Sequence, residues 1–194
     1  MAKRPGKTIN MLDGEKLDFV GIHDFDEWYK YLYRWCEWHK FASITEKKYK
    51  EQRNLQPDGS TSKNIEIVWE AGRSVDEYTK INIEVRIQCI NQKDVEVVRD
   101  GVKAMWQVGE IVMFVWAGFT LDKAGWFEGP FTGFFKKFYE KYLYREMIDQ
   151  LKRDVWKQGW EFFNDAKKLL NLYTFETRPS EISKKGGGGG LTGF

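Results

Sequence analysis

Between Val112 and Phe163 the chain carries 16 of its 32 aromatic residues, and there a run with apolar side chains on both faces passes into a long aromatic helical pattern. In the run from Ile111 to Leu121, Ile111, Met113, Val115, Ala117 and Phe119 share one face while Val112, Phe114 and Trp116 fill the other. A strand of that kind is expected to be covered on both sides. Pro130 follows Gly125 and Gly129 and suits the first turn of a helix, where its missing donor costs nothing. From Phe131 an apolar stripe continues through Phe135, Phe138, Tyr142, Ile148, Leu151, Val155, Phe162, Ala166 and Leu169. It is either one helix of more than about 40 residues or two, with Gly159 the expected bend.

The preceding residues supply a sheet for that helix to lie on. Ile65, Ile67 and Trp69 alternate with polar neighbours, and Ile81, Ile83, Val85, Ile87 and Cys89 do so with Lys80, Asn82, Glu84, Arg86 and Gln88 between them. This predicts two antiparallel strands with one wet face. Asp100-Gly101 predicts a tight hairpin joining Val95–Val98 to Val102–Trp106. Ser43 to Arg53, charged and weakly alternating, reads as an edge strand, and Pro57, Asp58 and Gly59 mark the loop after it. From Asp24 to Phe41, Phe25, Trp28, Leu32, Trp35 and Cys36 recur at helical spacing, and Asp24 with Glu27 forms a capping box. Tyr29, Tyr31, Tyr33 and Trp38 make the remaining faces more aromatic than a solvated helix usually is.

The expected fold is therefore α+β: an antiparallel meander of about five or six strands, with an N-terminal helix and a long C-terminal helix packed on one face. Residues 1–20 read as an N-terminal arm, 21–175 as one domain and 176–194 as a flexible tail. A chain of 194 residues is large enough to bury roughly 70% of its unfolded surface. Its 31 basic and 29 acidic residues leave a net charge of +2, too weak a field to announce nucleic acid or an anionic membrane. Two cysteines, no secretory apolar core behind Lys3, Arg4 and Lys7, and an apolar run only half as long as the roughly 20 residues of a membrane span lead to a cytoplasmic expectation.

Trp69-Glu70-Ala71, Asp76 to Lys80, Asp94 to Val97, Asp100 to Lys103, Gly109-Glu110-Ile111 and Tyr139 to Tyr142 together resemble an uncharacterised family of archaeal proteins. That resemblance spans roughly Gly21 to Tyr173 and carries over no functional residue. More distantly, one helix, a meander and a long final helix resemble the helix-grip, START-like superfamily in element order. That likeness implies an apolar ligand held between sheet and last helix, with Trp116, Phe119, Trp126, Phe135 and Tyr139 as lining.

Cys36 and His39 are three apart on the first helix, the spacing of a thiol activated by an imidazole, but Cys36 also continues the apolar stripe, and packing is its expected use. His23, Asp24 and Asp26 offer cation ligands, yet Asp24 is already employed as a helix cap. No phosphate-binding loop or dinucleotide fingerprint is present, so no cofactor is expected. Lys136, Lys137, Lys141, Arg145, Lys152, Arg153 and Lys157 are interrupted by Glu140, Glu146, Asp149 and Asp154, the pattern of a solvated helix face rather than a nucleic-acid surface. Phe134, Phe135, Phe138 and Tyr139 beside Lys136 and Lys137 also suit a lipid interface, with core packing the simpler expectation.

Five consecutive glycines precede the final Leu191, Thr192, Gly193 and Phe194. A flexible tether ending in an apolar tetrapeptide is how a docking peptide is presented. The leading expectation is a non-enzymatic protein-binding or assembly module, in which the helices and sheet form the scaffold or a self-association interface and Leu191–Phe194 docks on a partner protein. The alternative is the START-like carrier of an apolar small molecule.

Overall fold

The computed structural model describes residues 6–55, 61–99, 102–127 and 132–176. Its five strands are β1 (Lys7–His23), β2 (Ser43–Leu55), β3 (Thr61–Ser74), β4 (Thr79–Arg99) and β5 (Val102–Leu121). They form one antiparallel sheet in the order β1-β5-β4-β3-β2. The helix α1 (Phe25–Trp38) lies between β1 and β2 in the chain, and a long helix α3 (Arg145–Glu176) ends the described residues. The expected α+β architecture is present, with both helices on one face of the sheet.

Alternation sets that face. Ile81, Ile83, Val85, Ile87 and Cys89 of β4 and Ile111, Met113, Val115, Ala117 and Phe119 of β5 are all buried beneath the helices. The α3 residues Leu151, Val155, Phe162, Ala166 and Leu170 meet them at helical spacing. Two indole donors fasten α1 to α3: Trp28 Nε1 donates to the Ala166 carbonyl at 3.1 Å and Trp35 Nε1 to the Asp165 carboxylate at 3.3 Å. Asp24 caps α1, its carboxylate accepting from the Glu27 amide at 3.0 Å.

Three expectations change. Residues 7–20, placed by the sequence in an arm, form most of β1, which pairs with β5 from Lys7↔Leu121 to His23↔Gln107. Two bulges break its alternation: Met11 and Gly14 have no opposite residue, so Leu12 and Leu17, five apart, both reach the core. Gly14 has φ +84°, and a Cβ there would stand 3.1 Å from the Trp116 indole. The bulge requires glycine for both reasons.

The second change concerns the outer face of β5, which no layer covers among the described residues. Phe114 and Trp116 stack on each other at 6.0 Å, with the Lys16 ammonium 6.0 Å from the first ring and the Arg86 guanidinium 5.5 Å from the second. Cationic side chains shield these rings in place of a second layer.

The third is the helical stripe from Phe131. It divides into α2 (Thr132–Phe138), a π-helical turn (Tyr139–Leu143) and α3, with the break at Tyr144. The helix runs unbroken through Gly159, where it touches the sheet: a Cβ on Gly159 would lie 2.9 Å from Ala117 Cβ and 3.0 Å from a Leu12 methyl. Close approach, not bending, is the reason for this glycine.

Candidate functional site

At the end of the sheet where β5 stops and β3 turns into β4, a polar and aromatic root holds α2 and the π-helical turn in place. Asp76 accepts from the Tyr78 and Thr79 amides at 2.8 and 2.6 Å and from the Tyr144 hydroxyl. The Thr79 and Tyr144 hydroxyls share a further hydrogen bond of 2.9 Å. Tyr78 is buried, donates to Glu140 at 2.7 Å, and meets the Phe127, Tyr139 and Tyr144 rings edge to face at 5.2–6.1 Å. Burial, reinforced by Asp76, pushes the Tyr144 hydroxyl up to about 12. Burial and then Glu140 raise that of Tyr78 as well. Both phenols stay protonated donors at neutral pH.

Asp122 completes the root. It is buried, has φ +58°, and accepts from the Trp126 amide at 2.6 Å, the Phe127 amide at 3.4 Å and the Lys136 ammonium at 3.0 Å. A buried carboxylate with three donors is a fixed anchor for the loop and for α2.

From this root the other face of α2 and the π-helical turn projects into solvent. Phe134 is 75% exposed, Phe135 61%, Phe138 49%, Tyr142 62% and Leu143 70%. Phe134 and Phe135 meet edge to face at 6.0 Å, and Phe138 and Tyr142 lie 5.0 Å apart, so the rings form a ridge. Lys137, Lys141 and Arg145 are exposed beside it. Both rows, Phe134/Phe138/Tyr142 and Lys137/Lys141/Arg145, advance in steps of four residues and run side by side. The remaining charges on this segment are held at the root, Lys136 by Asp122 and Glu140 by Tyr78. The outer surface is therefore aromatic and cationic.

Searches against protein-family models, curated proteins and solved structures find no match to this chain.

The five residues proposed to line a carrier cavity are not gathered at one place. Phe119 is buried in the core beneath α3, and Trp116 lies on the opposite face of the same strand. Tyr139 packs at the root, Trp126 is half-exposed against Tyr78, and Phe135 stands on the ridge. Leu191, Thr192, Gly193 and Phe194 lie outside the described residues.

The helix-one candidates are used structurally. Cys36 is fully buried, and burial pushes its thiol up to about 12. His39 turns to Trp35, stacking on it at 3.6 Å and meeting its carbonyl through Nδ1 at 2.8 Å. Among the described residues no group of three or more His, Cys, Asp or Glu converges as a metal site. No described helix is long and apolar enough to cross a membrane.

The ridge was legible in part. Core burial was expected for Phe134, Phe135 and Phe138, and the structure exposes all three. Tyr139 and Lys136, on the other side of the same segment, are the residues that face the root. The signal that survives is the pair of parallel four-residue spacings, aromatic and basic.

Proposed function

We propose that this chain is a non-enzymatic binding or assembly module that docks through the ridge of α2 and the π-helical turn. One observation carries the reading. Five large apolar side chains, Phe134, Phe135, Phe138, Tyr142 and Leu143, are about half or more exposed on one short segment whose other side is pinned by Asp122, Tyr78 and Tyr144. Exposed apolar patches of this kind mark interaction surfaces, and a rigid root means little conformational entropy is lost on docking.

The test uses the chain's inert thiols. Cys36 and Cys89 are buried and their thiols pushed up to about 12, so Phe135→Cys introduces the one reactive thiol of the full-length protein. Val20→Cys, on an exposed position near the other end of β1, is the control. In intact cells a permeable maleimide should label Phe135→Cys more slowly than it labels the purified protein, with Val20→Cys unchanged. Equal rates for Phe135→Cys in both settings would end the proposal.

The START-like carrier is the second reading, favoured by one observation: an N-terminal strand beside the last strand, a helix between β1 and β2, and a long final helix laid on the sheet. Packing weighs against it, because the inward side chains of β5 leave no surface for a water-sized neighbour. Element order transmits no function by itself.

A further inference from the structure

We infer that the surface docked by this ridge is an anionic lipid membrane, bound peripherally with the aromatic row among the acyl chains and the basic row at the headgroups. The inference rests on the docking role of the ridge and names its partner. Shape is the first ground. The apolar groups stand on the outside of a projecting helical segment, a form that enters a fluid interface without requiring a complementary groove. Phe134 and Leu143, near its two ends, are the most exposed of its large apolar residues.

Charge is the second ground. Lys137, Lys141 and Arg145 run beside Phe134, Phe138 and Tyr142, and an apolar row with a cationic row along it is the pattern of helices that lie in an interface rich in acidic lipid. The long lysine and arginine stems let the charges reach outward while the rings go deeper. A second copy of the chain is the poorer occupant. A twofold contact would set the same cationic rows close together, where like charges oppose association. Nucleic acid would use the same cations, but Glu146 and Asp149 flank Arg145, and Asp149 approaches it at 4.0 Å. That breaks the continuous basic track a phosphate backbone needs.

The experiment is co-flotation of the full-length protein with vesicles of phosphatidylcholine containing about a third phosphatidylglycerol, and with vesicles of phosphatidylcholine alone. The mixed vesicles should carry the protein up, and phosphatidylcholine alone should carry at least roughly tenfold less. Phe134→Ser/Phe138→Ser and, separately, Lys137→Glu/Lys141→Glu should each reduce flotation by roughly tenfold or more. These positions are exposed, and an unchanged melting temperature in each variant confirms that it folds. An environment-sensitive dye on Phe135→Cys should shift to the blue with the mixed vesicles and be quenched by lipids brominated in the acyl chain.

Three results overturn the lipid partner: no flotation, flotation that the variants do not alter, or a dye that binds vesicles without quenching. If Phe135→Cys is protected in cells while vesicles fail, the docking role stands and lipid is wrong. If a single-stranded oligonucleotide shifts the dye and the mixed vesicles do not, the cationic row serves nucleic acid instead. If the thiol is unprotected and vesicles also fail, both readings fall together.

Discussion

Gly159 stands in the middle of a 32-residue helix, where glycine costs about 1 kcal/mol relative to alanine. The helix keeps it because α3 comes so near to β1 and β5 that a Cβ would press on Ala117 and Leu12. Gly159→Ala gains helix propensity and loses more by overpacking, for a net destabilisation of about 1–2 kcal/mol. It should appear as a lower urea midpoint at unchanged slope. An unchanged or higher midpoint would show that the helix can move away from the sheet without cost.

His23 carries a second prediction at this scale. It is fully buried, with Nδ1 3.2 Å from the Gly21 carbonyl, and Nε2 without a hydrogen bond. Burial lowers its pKa from the ordinary 6.5, and outweighs the raising influence of Gly21, Gln92 and Asp24. In the interval below 6.5 the unfolded chain holds the proton and the folded one does not. The contribution of His23 is therefore complete above 6.5 and is lost as pH falls through the folded value. Urea midpoints taken at about pH 7.5 and about pH 5.5 should fall further in the natural chain than in His23→Gln. Equal falls would assign the acid sensitivity to other groups.

At the scale of elements, β1 is the strand the sequence concealed. It bonds to β5 along nearly its whole length and delivers Leu12 and Leu17 to the core. Deleting residues 1–20 would turn β5 into an edge strand, take Leu12 and Leu17 out of the core and uncover the part of α3 that lies on β1, so the truncated chain should show no cooperative thermal transition by circular dichroism. A sharp transition near that of the full chain would mean that β1 is dispensable. The strand escaped sequence reading because its two bulges change the phase of alternation twice. Helix α1, edge strand β2 and the pairing of β4 with β5 were legible because each carries its own local signal: the Asp24 cap, a charged strand and the Asp100-Gly101 pair in the sequence. The stripe from Phe131 failed for the same reason as β1. The π-helical turn and the break at Tyr144 part α2 from α3, and Phe135, Phe138 and Tyr142 are exposed instead of continuing the buried stripe of α3.

At the scale of the whole molecule, the sheet, its helical cover and the projecting ridge divide the labour. The two edges are β1 and β2, and β2 guards its own with Glu46, Lys47, Lys48, Lys50, Glu51 and Arg53. The middle strands supply the core, and the polar ends of β3, β4 and β5 hold the root from which α2 rises. The fold class, the inward face of β4 and β5, and the helix cap are all written in the amino-acid sequence. Each of these depends on residues near one another along the chain, through periodicity and turn chemistry. That β1 belongs to the sheet, that Gly159 is a contact rather than a bend, and that the aromatic residues of α2 face solvent emerge with the packed fold. Those outcomes depend on bulge phase, on the distance between α3 and the sheet, and on the hold of Asp122 and Tyr78 over α2, and all three join residues far apart in the chain.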